Sequence, residues 1–425
     1  MTLSAFARKY IPALQRLRDS VVSATGASAQ ALSELEAIHR KLEHIESEIT
    51  TLKQKDNSVH LDTPEDLDKE TSGLIRAALQ TAAVQHLPLL PYEIDVTDGV
   101  ITVQTWAAAP LGLTENMRFF VNGKPFDQVE YPIRDEELSA KFADIRGCSF
   151  VAKLLTSLPD PEAKWIRLDA APTGIYNECA WRKAIHILNP MHERYPFPPE
   201  ANKLRVIGDA HETRFKMGGA TIFKNMERYL QEALALSWSD FPSILDWGCG
   251  SARVSRYLIA ESGQAVTGAD IDPDNVAWCK ANIAGGRFET IPLMPRTQFK
   301  DGQFDLAIGV SVFTHLKEDV QFAWLEEMRR VIKPGGYALF SITGPTQFAY
   351  NRFPAHLYEK VQHDGFMDLS ADPALNSVLD DKEYYRSVMH SRDYICDRWT
   401  EYFDVIAIED GIAALQDFVV LRRRH

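Results

Sequence analysis

What the chain lacks narrows its function first. Its five cysteines, Cys148, Cys179, Cys249, Cys279 and Cys396, are scattered and odd in number. None falls in a Cys-x-x-Cys pair, so neither a disulfide framework nor a metal site is expected. A reduced, cytoplasmic setting follows. No apolar run approaches the ~20 residues that span a bilayer. The N-terminal stretch MTLSAFARKYIPALQRLRDSVV has polar residues in every turn, which predicts an amphipathic helix and no signal peptide. Positive charge is also short, with 46 Lys and Arg against 59 Asp and Glu and a formal net charge of −13. Such a surface repels backbone phosphates, which argues against nucleic acid or an anionic membrane as partner. The short basic end at Arg422, Arg423 and Arg424 does not overturn that balance.

What is present begins with length. At 425 residues, 45% hydrophobic and 25% charged, the chain is expected to fold as two or three soluble domains. Residues 31–55 repeat apolar side chains in heptads, with Leu35, Leu42 and Ile49 at a and Ile38, Ile45 and Leu52 at d. In a parallel coil the g and following e positions pair Lys41 with Glu46 and Glu48 with Lys53, all of opposite sign. This predicts a helical, self-associating segment over 1–56. The alternative is an intrachain hairpin in which helix 3–24 turns back at Gly26. Residues 57–91 read as an acidic, proline-broken linker followed by a helix.

The texture then changes to strands. Asp98-Gly99 and Asn122-Gly123 each sit between alternating segments and supply the positive φ angles that tight hairpin turns require. With further strands near Cys148–Lys153 and Trp165–Asp169, a small antiparallel β-domain is expected over 92–170. Trp106 on one of these strands reads as core.

The remainder, 171–425, alternates strand and helix from about Ala201 onward. Strands are expected at Ser243–Trp247, Ala265–Ile271, Phe288–Leu293, Phe304–Val310 and Tyr337–Thr343, with helices at Ser251–Glu261, Asp274–Ile283 and Glu318–Ile332. This is the pattern of an α/β doubly wound, Rossmann-like parallel sheet. The final segments FDVIAIED and QDFVVLRRR are too close for a parallel crossover and must form an antiparallel hairpin.

The segment SILDWGCGSARVSRYL carries the chemistry. A strand runs into Gly248 and Gly250 and then into a helix. A dinucleotide fold needs a third glycine where this chain has Arg253, and no Gly-Lys-Ser/Thr follows to make a P-loop. Asp246 lies inside the turn, where its carboxylate repels a pyrophosphate and attracts a cation. S-adenosylmethionine has a sulfonium, an ammonium, a ribose diol and no phosphate. Asp270 ends the next strand 22 residues (270 − 248) after Gly248, the distance at which a carboxylate accepts ribose hydroxyls. Asp272-Pro273 then supplies an N-cap and a first-turn proline.

At this point residues 240–345 resemble the core of a class I S-adenosylmethionine-dependent methyltransferase. ILDWGCGSAR is similar to that family's first motif and VTGADIDP to its second-strand acid. FDLAIGVSVFTHL is similar to its fourth strand, and EMRRVIKPGGYALFSI to its helix, Pro-Gly-Gly turn and fifth strand. The resemblance implies that Gly248, Cys249 and Gly250 line the methionyl and ribose parts of the cofactor. It implies further that Asp246 favours the ammonium, Asp270 holds the ribose, Ile271 flanks adenine, and Val310 and Ser311 close the methionyl end. Ala252 stands where a glycine is usual, and Ile291-Pro292-Leu293 stands where many members carry an acid near adenine. RVIGDAHETRFKMGGATIF, Arg205 to Phe223, is similar to a leader in some bacterial members. There Phe215 and Gly219 fold over the methionyl end or simply pack on the sheet.

His315, just past the fourth strand, is the candidate general base, with a backbone-bonded helix-start histidine as the alternative. A segment over 344–395, with Tyr350, Tyr358, Tyr384, Tyr385, His390 and Tyr394, is expected to roof the site. The expected function is methyl transfer to a small-molecule or carbohydrate acceptor, by O-methylation. The alternative is a non-catalytic, cofactor-binding scaffold assembled through the coil.

Overall fold

The computed structural model describes residues 89–107, 117–134, 136, 150–172, 184–344, 347–348, 355–413 and 415–425. The expected coil with its seam at 31–55, and the linker and helix up to residue 88, lie outside the described residues, as does Tyr350.

Strands β1 (Leu89–Thr97) and β2 (Val100–Ala107) meet at Asp98 and Gly99, whose φ angles of 51° and 74° pair Thr97 with Val100. β3 (Met117–Val121) and β4 (Lys124–Pro125) turn the same way at Asn122 and Gly123, with φ 48° and 78°. β5 (Gln128–Arg134), β6 (Phe150–Ser157), β7 (Trp165–Pro172) and β8 (Ile185–Leu188) complete two four-stranded antiparallel sheets, in the orders β1-β2-β6-β5 and β4-β3-β7-β8. Alternate residues of both sheets, Ile101 and Val103 from one and Phe119 and Ile166 from the other, share one buried core. The antiparallel strands thus run past the 92–170 span on both sides, from Leu89 to Leu188.

Two helices follow, α1 (Glu200–Ile207) and α2 (Glu212–Ala233). α2 joins the sheets to the rest of the chain. Thr221 accepts from the His186 amide at 2.9 Å, and Phe223 stacks between Trp165 of β7 and Trp238, with ring centres 5.8 and 5.4 Å away.

Next come β9 (Ser243–Trp247), α3 (Ser255–Glu261), β10 (Ala265–Asp270), α4 (Pro273–Asn282), β11 (Arg287–Thr290), β12 (Phe304–Gly309), α5 (Glu318–Val331) and β13 (Ile332–Ile342). α6 (Ala355–Asp364), the strand pair β14 (Phe366–Ala371) and β15 (Arg386–His390), and α7 (Arg392–Arg398) precede the terminal hairpin of β16 (Asp404–Ala413) and β17 (Gln416–Arg422). The seven-stranded sheet runs β11-β10-β9-β12-β13-β17-β16, with every strand in one direction except β17, which is antiparallel to both its neighbours β13 and β16. It is the doubly wound sheet with an antiparallel end that the sequence predicts. Neighbouring residues alternate between faces. Leu245 packs under α5 with Trp324 and Met328, while Ile244 packs under α2 and α3 with Met226 and Leu258. Each such buried side chain contributes roughly 1.5–3 kcal/mol, which holds the sheet between its helix layers.

Three boundaries in this sheet and its helices differ from expectation by more than one residue. α3 starts at Ser255 rather than Ser251, because Ala252 takes a left-handed φ of 60° that no helix accommodates. β11 stops at Thr290, since Pro292 has no amide to continue the ladder. β13 starts at Ile332, not Tyr337, because Gly335, turned at φ 79°, and Gly336 hold the C-terminal segment through paired bonds with Arg423 (2.9 and 2.8 Å).

Candidate active site

The site is built where β9 and β10 end. Gly248 and Gly250 have φ of 72° and 52°, a region closed to most side chains. A Cβ on Gly248 would lie 2.4 Å from Val312 Cγ2, and one on Gly250 would lie 2.7 Å from Val206 Cγ2. The turn therefore has no room for a side chain at either position. The amides of Gly248 and Cys249 donate to the Ala269 carbonyl at 2.7 and 3.1 Å, which locks the turn onto β10.

Two carboxylates converge beside it. Asp246 is 2% exposed and accepts from the Ser255 hydroxyl. Asp270 is 8% exposed and accepts from the Gly250 amide at 2.7 Å and the Asp272 amide at 2.8 Å. Burial pushes both acids up to about 6, against the opposing pull of these hydrogen bonds. A pocket that holds two such acids is predisposed to a cationic, hydroxyl-bearing guest.

The cavity at this edge spans about 880 Å³, part of it open to solvent. Asp246, Gly248, Cys249, Gly250, Asp270, Ile271, Val310 and Ser311 all line it. Ser311 is fixed at φ 60°, its amide donating to Ser341 Oγ at 2.7 Å and its hydroxyl to Gln416 at 3.0 Å. Ile291, Leu316, Trp324 and Leu375 form an apolar wall.

Phe215 and Gly219 do not reach the pocket wall. Phe215 is fully buried in α2 against Phe197, and a Cβ on Gly219 would sit 2.0 Å from the Arg253 carbonyl oxygen. Both therefore serve the close packing of α2 on the turn before α3. His315 also stands behind the wall. Its Nδ1 donates to the Arg386 carbonyl at 2.7 Å, with Asp372 3.6 Å away, and its ring stacks 4.0 Å from that of Tyr385. Tyr385 itself faces the cavity. Of the other roof aromatics, Tyr384 lines the cavity and donates to the Leu293 carbonyl. Tyr394 donates to Glu318 at 2.7 Å, His390 bonds Gln321 at 2.8 Å, and Tyr358 packs edge-on to Phe348.

Sequence reading missed the α1 side of the cavity. Arg205 donates to Asp272 Oδ2 at 2.7 Å, and Asn202 donates to Asn275 at 2.8 Å, which straps α1 over the glycine turn and brings Val206 to the wall. The N-cap aspartate was the only signal, and it does not name its partner. Asp272 does cap α4 as expected, accepting from the Asp274 amide at 2.9 Å.

Residues 244–336, which contain this turn, both carboxylates and the fourth strand, match the model of a family described as a methyltransferase domain. The chain carries a class I S-adenosylmethionine-dependent methyltransferase domain. Over 139 residues it is 30% identical to the 2-methyl-6-phytyl-1,4-hydroquinone methyltransferase of Synechocystis, covering 32% of this chain and 42% of that one. It is 29% identical over 142 residues to a fatty-acid O-methyltransferase of Mycolicibacterium smegmatis, covering 31% and 46%. It is 30% identical over 100 residues to an O-antigen chain terminator bifunctional methyltransferase/kinase of Escherichia coli, covering 21% and 13%. The chain spans less than half the length of these curated relatives.

S-adenosylmethionine is the cofactor of such a methyltransferase domain, and the residues present fit it. The glycine turn admits a close ligand, the buried acids suit an ammonium and a ribose diol, and the apolar wall of Ile291 and Trp324 suits adenine. Among the described residues, no helix is long and apolar enough to cross a membrane.

Proposed function

We propose that the whole chain is an S-adenosylmethionine-dependent methyltransferase that methylates a hydroxyl of a small molecule or carbohydrate. The observation that carries this reading is the convergence of Asp246 and Asp270, both buried, on a turn whose two glycines admit no side chain, at the carboxyl edge of the sheet. Ligands bind at that edge in open α/β sheets. The cofactor, when bound, supplies a methyl carbon already activated for displacement. The chain's own work is then to position the acceptor and exclude water.

Asp270 and the Gly250 amide hold the ribose side, and Asp246 holds the ammonium side. Leu375, Tyr384 and Tyr385 roof the cavity from the inserted segment and keep water out. His315 is the proposed base. Its Nδ1 proton is committed to the Arg386 carbonyl, so the neutral ring has Nε2 as its acceptor for the hydroxyl proton. Burial lowers the pKa of His315, which keeps the ring neutral. Tyr385 must swing aside for that proton to reach it.

The relatives named above act, by their names, on a hydroquinone, a fatty acid and an O-antigen chain, so the shared chemistry is methyl transfer and the acceptors differ. We further propose a cytoplasmic enzyme that self-associates through residues 31–55 and does not act on nucleic acid. Incubation with isotopically labelled cofactor and fractionated extract, read by mass spectrometry, tests the activity. Labelled product is expected. A chain that binds the cofactor yet labels nothing in any fraction would favour the scaffold.

A further inference from the structure

Arg253 occupies the position where a dinucleotide fold has its third glycine. It follows the glycine turn, is half-buried, and lines the cofactor cavity. Buried arginines normally pair with a carboxylate or donate to a carbonyl. Among the described residues, none comes within ion-pairing or hydrogen-bonding reach of its side chain. This contrasts with Arg205 nearby, which is bonded to Asp272 at 2.7 Å. The guanidinium instead lies against the bare backbone of α2, where a Cβ on Gly218 would come within 3.9 Å of Nη1. Burial opposes its charge, and the nearest groups that favour it are Asp246 and Tyr385. An arginine at a cavity wall whose guanidinium no carboxylate bonds is built to receive one.

We propose that Arg253 binds the α-carboxylate of the cofactor and that, with Asp246, it grips the amino-acid end from both sides. The proposal rests on the cofactor reading above and deepens it. The reasoning is one of distance within the ligand. The ammonium and carboxylate of the methionyl group share one carbon, so the groups that read them must be neighbours. Asp246 and Arg253 flank the glycine turn, both line the cavity, and each acts electrostatically on the other. Asp246 takes the ammonium, and the guanidinium fork matches a carboxylate with two parallel bonds. The residue that rules out a dinucleotide thus gives the site its preference for a zwitterion.

The test is calorimetric titration with two ligands, S-adenosylhomocysteine and its decarboxylated analogue, which keeps the adenosine, thioether and amine. The wild-type chain should bind the intact ligand about 10- to 100-fold more tightly than the decarboxylated one, the range expected for a charge-assisted pair. Arg253→Gln should lose that preference, weakening the intact ligand to the level of the analogue and leaving the analogue unchanged. Arg253→Lys should recover part of the preference. Unchanged binding of the intact ligand to Arg253→Gln would overturn the proposal and assign the arginine to the acceptor. Equal weakening of both ligands would overturn it as well, since that marks a packing role. If Arg253→Gln does not fold, equal affinity of the wild type for the two ligands is decisive against the proposal. Failure of the wild type to bind either ligand would instead remove the cofactor reading.

Discussion

The backbone amide of Gly250 donates to Asp270 Oδ2 at 2.7 Å. The acid at the end of β10 and the turn at the end of β9 are therefore one unit, and a ligand meets both at once. The same carboxylate accepts from the Asp272 amide through Oδ1, so its orientation is fixed before any ribose arrives. Such preorganisation spares the ligand the entropy of ordering the turn.

Gly248→Ala should therefore disable binding without any change of charge. The left-handed φ of 72° costs a Cβ-bearing residue ~1–2 kcal/mol, and the 2.4 Å approach to Val312 adds to it. A lower melting temperature with loss of S-adenosylhomocysteine binding is expected. Wild-type affinity in this variant would mean that the turn does not contact the ligand.

Ligand affinity should depend on pH near 6. Burial raises Asp246 and Asp270 to about 6, so between about pH 4 and 6 the folded, ligand-free chain holds protons that the unfolded chain has released. These two groups thus lose stabilising effect as pH rises through that window. A cationic ligand favours the ionised acids, so its affinity should climb as pH rises through about 6 and then level off. Calorimetry across about pH 5 to 8 checks this. An affinity that is flat or falls with rising pH would contradict it.

His315→Ala separates catalysis from packing. As a base, its loss should lower kcat by roughly 10²–10⁴ while cofactor affinity hardly changes. The wild-type rate should fall as pH drops through the histidine pKa, which burial places below the ordinary value. If His315 only anchors the Arg386 carbonyl and Tyr385, the variant will melt earlier and keep most of its turnover.

Deleting residues 1–60 should reduce the particle to a monomer in light scattering, since the proposed apolar seam of Leu35 to Leu52 goes with them. The same number of chains after deletion would favour the intrachain hairpin.

Local chemistry made much of this legible in the sequence. Asp98-Gly99 and Asn122-Gly123 declare their turns because few residues accept positive φ, and the spacing from Gly248 to Asp270 follows from one strand–helix–strand unit. What depends on distant partners was not legible. β8 is four residues, too short to declare a period, and it exists because β7 and α2 cover it. Arg205 reaches Asp272 across 67 positions of sequence, so no local pattern reveals it. Tyr385 and Tyr394 read alike as roof aromatics, yet one faces the cavity and the other donates to Glu318. Phe215 and Gly219 stayed open between two roles for the same reason: an apolar residue and a glycine near a motif serve packing as readily as binding.

The cofactor site is the central claim, and Asp270 tests it most directly. S-adenosylmethionine titrated into the wild-type chain in a calorimeter should show saturable binding at one site per chain. Asp270→Ala should remove bonds to the ribose hydroxyls worth ~1.5–3 kcal/mol each, enough to take binding out of the measurable range. Circular dichroism should show the variant folded. Unchanged affinity in Asp270→Ala, or no binding to the wild type, would contradict the account.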